Sequence, residues 1–270
     1  MSISNTAVRI IVSAIAIPAI VVVSYLGNYY FFIFILAIAI ISFYEFSLFA
    51  KNKEIEANVI LGILSVILII ANSFRNFIDF YALLILVVLI LTIVELFRNK
   101  GSAIVNLGTT LTGIFYIGLF ASALVSIREY YPAEYTRGGL LILSILFSIW
   151  ICDSAAFFGG TSLGKHKMFP RVSPKKSWEG AVFGLLFAVA AMISSKAVFL
   201  DFISWKDAIL LGLIIGIVGQ VGDLVESLFK RDAGVKDSSG FIPGHGGVFD
   251  RFDSLLYVAP VVFLYIKYFS

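Results

Sequence analysis

The sequence predicts an all-α polytopic membrane protein with about nine transmembrane helices and a cytoplasmic N-terminus. Three observations predict this. Of the 270 residues, 60% are hydrophobic and 14% are charged, against about 45–50% and about 25% in an average soluble domain. A soluble chain of this length has too little interior to hide that surface. Apolar runs of near-spanning length recur along the chain, broken by short polar segments. The Lys and Arg residues fall mainly into alternate breaks.

A helix needs about 20 mainly apolar residues to cross a hydrocarbon core of roughly 30 Å. The candidate spans are Ala7–Leu26, Tyr29–Ala50, Ala57–Ser73, Phe77–Phe97, Ile104–Ile127, Gly139–Phe158, Glu179–Leu200, Lys206–Leu228 and Arg251–Phe269. Turn and charge signals separate them: Gly27-Asn28, Lys51-Asn52-Lys53, Arg75-Asn76, Arg98-Asn99-Lys100 and Tyr131-Pro132. The first span is read as a retained helix rather than a signal peptide, because a second apolar run follows at Tyr29 and not a soluble domain. Strands of an outer-membrane barrel would show about ten residues of alternating polarity, which these runs do not. Fourteen of the 20 Lys and Arg residues lie on the side of the N-terminus, and such residues favour cytoplasmic loops. The chain divides into N-terminal helices (1–100), middle helices with a basic loop (101–178) and C-terminal helices with a second loop (179–270). The lone Cys152 excludes an internal disulfide and a cysteine-based zinc site.

Chemistry-bearing residues concentrate between Trp150 and Asp253. The first long loop, about Gly159–Trp178, carries Lys165, Lys167, Arg171, Lys175 and Lys176 with Ser173 and a Ser-Pro-Lys-Lys-Ser turn. That composition suits a triphosphate or a lipid phosphate. Asp153 lies inside the preceding span and needs a partner there, because an ionisable group costs roughly 2.5–3.5 kcal/mol at a helix centre. Glu179 suits either the dipole of the helix it begins or a role in the site. The second loop, about Phe229–Asp250, has carboxylates at both ends. Asp223 and Glu226 are three residues apart, as are Asp250 and Asp253, so each pair shares a helix face. If the loop folds back, these acids gather at one membrane boundary. Oxygen-only ligands favour Mg²⁺, which commonly binds one or two carboxylates plus substrate phosphates. Lys230, Arg231, Lys236 and Arg251 sit among the acids, and Arg offers phosphate a planar fork. In His245-Gly246-Gly247 the glycines would let backbone N–H groups reach a phosphate. Glu45 and Glu95 are expected to be helix-packing acids, and Gly212, Gly216 and Gly219 a close-packing face.

The stretch Ser227–Asp253 resembles the signature of phosphatidate cytidylyltransferases. That pattern fixes Ser227, Lys230, Arg231, Lys236, Asp237, Pro243, His245, Gly246, Gly247, Asp250, Arg251 and Asp253, all present at the right spacing. The region from Asp153 through Gly164-Lys165-His166-Lys167 and Ser173-Pro-Lys-Lys-Ser177 to Glu179-Gly180 is similar to the family's upstream segment. The resemblance implies that phosphatidic acid attacks CTP to give CDP-diacylglycerol and pyrophosphate, with Mg²⁺ as cofactor. It implies metal ligation by Asp223 and Asp250, with Asp253 and Asp153 as further candidates. Lys230, Arg231, Lys236, Asp237, His245 and Arg251 would form the catalytic set. Lys165, Ser173, Lys175, Lys176, Ser227, Gly246 and Gly247 would contact substrate. The expected partners are CTP, phosphatidic acid and the bilayer, with no nucleic acid; the expected location is the cell's inner membrane, with the site facing the cytoplasm. A homo-oligomer is compatible with the sequence. The alternatives are a related lipid nucleotidyltransferase, a polyprenol kinase and a transporter. Crowding of the ionisable residues on one side argues against the transporter.

Overall fold

A computed structural model describes residues 5–270. Among the described residues the apolar segments form nine helices: α1 (Asn5–Leu26), α2 (Asn28–Asn52), α3 (Val59–Arg75), α4 (Phe80–Arg98), α5 (Ala103–Arg128), α6 (Tyr135–Leu163), α7 (Trp178–Val198), α8 (Trp205–Asp232) and α9 (Phe249–Tyr268). Seven of them, all but α3 and α9, are long and apolar enough to cross a bilayer, and the chain is an all-α membrane protein. The one departure from helix is a short antiparallel ribbon, β1 (Lys167–Phe169) with β2 (Ser173–Ser177). The Ser-Pro-Lys-Lys-Ser segment expected as a turn is therefore a strand.

Several breaks fall where the sequence places them, for a backbone reason. Gly27, Asn28, Asn76 and Asn99 all have positive φ, a region that Gly and Asn enter at least cost. Asn58 and Asp79 accept bonds from the first turns of α3 and α4, and Ser204 with Asp207 forms a capping box on α8. The boundaries differ in one informative way. Helix α6 runs on through Gly159 and Gly160, and α8 runs on to Asp232, so both long loops are shorter than their composition suggests. The Gly pair belongs to a helix contact: a Cβ on Gly159 would lie 2.7 Å from Phe183 Cβ, and one on Gly180 would lie 2.7 Å from the Ala156 carbonyl oxygen. Gly212 and Gly216 bring α8 equally close to Val189 and Leu185 of α7.

The core is mainly aliphatic, with a cluster of aromatic rings near the signature segment. Phe43 of α2 fills the space beside Gly62 of α3 and Gly113 of α5. Residues Ile114–Leu119 of α5 wind as a π-helix, an insertion frequent at functional sites. It presents Tyr116 to Phe229, Phe249 and Tyr257, with ring centroids 5.5–5.8 Å away. Helix α5 thereby packs against the two helix ends that carry the signature. At the opposite end of the bundle, buried Arg128 donates to the carbonyls of Ser24, Tyr25 and Tyr135, tying the α1–α2 hairpin to α5 and α6.

Candidate active site

The end of α8 and the start of α9 meet around one buried cation. Lys230 Nζ lies 2.5 Å from Glu226 Oε2 and 2.7 Å from Asp250 Oδ1. The spacing Glu226–Lys230 is i,i+4 on one helix face, so the helix alone places the pair within reach. The lysine is largely buried and both acids nearly completely so. Asp250 Oδ2 accepts from the Ser238 N–H (2.9 Å), the Ser238 hydroxyl (3.0 Å) and the Gly247 N–H (2.8 Å). Asp250 thus fastens the loop to its own helix. The Gly247 amide, expected to face phosphate, is engaged here.

The glycines of the His-Gly-Gly segment have separate reasons. Ile242 N–H donates to the Gly246 carbonyl and His245 N–H to the Ile242 carbonyl, a turn that Gly244 and Gly246 close with φ of 75° and 84°. A Cβ on Gly247 would meet the Ser238 hydroxyl at 1.9 Å and both carboxylate oxygens of Glu45 within 2.7 Å. Glu45 reaches this loop from α2. It is buried and accepts from Ser238, Ser239, Val248 and Phe249. Sequence reasoning took it for a packing acid. The available signal was its place as a lone carboxylate in a long apolar run, which by default marks function.

Two cavities flank this cluster and share Asp153 and Asp223. One, of about 680 Å³, is lined by Lys167, Lys175 and Lys176 of the ribbon together with Gly160, Gly164 and Gly180. Lys176 Nζ sits 2.6 Å from Asp223 Oδ2, at the shared wall. The other, of about 650 Å³, is lined by Lys230, Asp237, His245, Asp250, Arg251 and Asp253, and by the apolar Val12, Ala16, Ile17 and Ile20 of α1. Helix α1 is almost wholly unburied by the rest of the protein, so this second cavity has a wall against lipid. The ribbon is held in place from α7: Glu179 accepts from His166 Nδ1 at 2.6 Å and from the His166 N–H. Glu179 thus braces the ribbon, beyond any dipole effect on its own helix.

The expected residues separate accordingly. Asp153, Asp223, Lys175, Lys176, Lys230, Asp237, His245, Asp250, Arg251 and Asp253 all line one cavity or both. Ser227 lies behind the wall and donates to Asp223 Oδ1 at 3.3 Å. Arg231 donates to the carbonyls of Val172 and Val235, joining ribbon to loop. Lys165, Ser173, Lys236, Gly246 and Gly247 stand outside both linings. Among the described residues no three acids, histidines or cysteines converge closely enough to enclose an ion alone. The donor set still suits Mg²⁺ completed by phosphate and water. Among the described residues the Asp153 side chain makes no hydrogen bond or ion pair and Asp253 accepts only the Ser254 N–H, so neither carboxylate is in direct contact with a cation.

The cytidylyltransferase family model matches residues 7–269. The chain is 32% identical to the phosphatidate cytidylyltransferase of Brucella suis, over 99% of this chain and 95% of the relative. It is 31% identical to that of Bacillus subtilis, over 97% and 98%, and 32% identical to that of Staphylococcus saprophyticus, over 94% and 96%. With the signature residues gathered at one end of the helix bundle and the match running its full length, the chain belongs to the cytidylyltransferase family.

Proposed function

We propose that the protein is a phosphatidate cytidylyltransferase. An oxygen of the phosphate of phosphatidic acid attacks the α-phosphorus of CTP. The bond from that phosphorus to the bridging oxygen of the β-phosphate breaks, and CDP-diacylglycerol and pyrophosphate leave. The observation that carries this reading is the pair of cavities that meet at Asp153 and Asp223, one lined by the lysines of the ribbon and the other walled in part by α1. The basic one suits a triphosphate. The other has polar groups at one end and the lipid-facing α1 along its side, which suits a phosphate on a diacyl tail.

The nucleophile is already anionic near neutral pH, so the residues' main task is to bring two polyanions together. Lys175 and Lys176 would hold the triphosphate, and Arg251 and His245 the lipid phosphate. Lys230 keeps the loop closed while adding positive potential to the wall. Two of Asp153, Asp223 and Asp253 would hold Mg²⁺ together with substrate phosphate and water, with Asp250 a further candidate once a phosphate draws Lys230 away. Bound there, the ion would neutralise phosphate oxygens and align the triphosphate. The nine-helix count and the charge bias support nine crossings, a cytoplasmic N-terminus and a site open to cytosolic CTP, in the cell's inner membrane. The test is release of pyrophosphate by purified protein in mixed micelles. Release that requires CTP, phosphatidic acid and Mg²⁺ together is expected. Equal release without phosphatidic acid, or with a free polyprenol in its place, would sink the assignment.

A further inference from the structure

We infer that Glu45, on α2 and 193 residues before the loop it binds, is a positioning residue of the active site. The carboxylate is 1% exposed, in the last third of a long apolar helix. Each of its oxygens takes one backbone N–H and one hydroxyl. Oε2 accepts from Phe249 N (2.7 Å) and Ser238 Oγ (3.0 Å), and Oε1 accepts from Val248 N (3.0 Å) and Ser239 Oγ (2.5 Å). The two amides are among the free donors that open α9, and a negative charge there is favoured by the helix dipole. The two serines lie near the middle of the loop that leads into α9. One side chain therefore sets both where α9 begins and where the loop returns. The Ser238 backbone N–H donates to Asp250 while its one hydroxyl proton lies between Glu45 and Asp250, so the chain of contacts runs Glu45–Ser238–Asp250–Lys230. Gly247 belongs to this device, since any side chain there would strike the carboxylate. A glutamate that merely packed helices would need none of these four donors to lie within the signature segment.

The inference rests on the proposed transferase reading for its activity arm only. Glu45→Gln keeps the shape but offers one acceptor oxygen, so an N–H of α9 loses its partner. With full-length protein in micelles, kcat is expected to fall roughly 10–100-fold, more than the KM for CTP rises. Amide hydrogen exchange at Val248 and Phe249 should accelerate. The same change at a second buried carboxylate, Glu95→Gln, serves as control. Glu95 bonds only Arg98 and Asn106, at the α4–α5 turn, and wild-type kcat is expected. Should Glu45→Gln fail to fold, the pair Ser238→Ala and Ser239→Ala trims the donors without stranding a charge and must reproduce the loss. Wild-type kcat in Glu45→Gln, or lost kcat with unchanged exchange at the two amides, overturns the inference. Wild-type protein that releases no pyrophosphate overturns the activity instead, and the exchange arm then decides the clamp by itself.

Discussion

Among the described residues Lys230 is the one cation shared by two buried carboxylates. It lies between two acids that have almost no contact with water, and removing one partner of a buried pair costs about 3–5 kcal/mol because the other charge is left stranded. Lys230→Met is therefore expected to lower the thermal unfolding temperature in detergent and abolish turnover. Lys230→Met with Glu226→Gln should regain part of the stability, since the stranded acid is removed with the lysine, but none of the activity. A double variant no more stable than the single one would show that Glu226 is not the group the lysine neutralises. At this scale the sequence identified the participants and misjudged several partnerships. Asp250, expected to face an ion, takes donors from Lys230, Ser238 and Gly247. Spacing along one segment reveals the Glu226–Lys230 pair, but nothing in it points from Asp250 to Ser238 or from Gly247 to Glu45.

Helices α6 and α7 meet through small residues, and their distance sets the width of the basic cavity. A Cβ at Gly180 would press on the Ala156 carbonyl oxygen and on the Gly160 backbone, 2.7–3.1 Å away. Backbone cannot swing aside as a side chain can, and overpacking of this kind costs about 1–3 kcal/mol. Gly180→Val is expected to lower both thermal stability and turnover. Gly108→Ala, on α5 where nothing lies within 4 Å, is expected to be neutral or to gain about 0.5–1 kcal/mol. Equal effects of the two substitutions in a thermal-shift assay would count against this reading of the glycines. Apolar length, caps and breakers made the helices legible. The β1–β2 ribbon and the π segment of α5 were not, because both depend on what packs against them: Glu179 holds the ribbon through His166, and the aromatic rings of α8 and α9 surround Tyr116.

The molecule as a whole gathers most of its ionisable groups at one end. Arg9 donates to the Gly244 carbonyl and Lys53 pairs with Asp232, so the start of α1 and the end of α2 lie beside the signature loop. Nine crossings with a cytoplasmic N-terminus predict a labelling pattern. In a Cys152→Ser background, Gly101→Cys should react with a membrane-impermeant maleimide only from the cytoplasmic face, and Glu134→Cys only from the other. Reaction of both from one face would reject the topology.

Composition and hydrophobic period by themselves determined that this chain is a helical membrane protein, because burial in lipid demands apolar length and satisfied backbone regardless of neighbours. The spacing of twelve fixed residues in one 27-residue segment carried the family resemblance. Only the tertiary structure decided that α2 supplies the carboxylate on which the signature loop hangs, and that two cavities share a wall at Asp153 and Asp223. Those contacts join residues as much as 204 positions apart. Their existence depends on which helices pack side by side, a choice made by the sum of many weak apolar contacts and not by any local pattern.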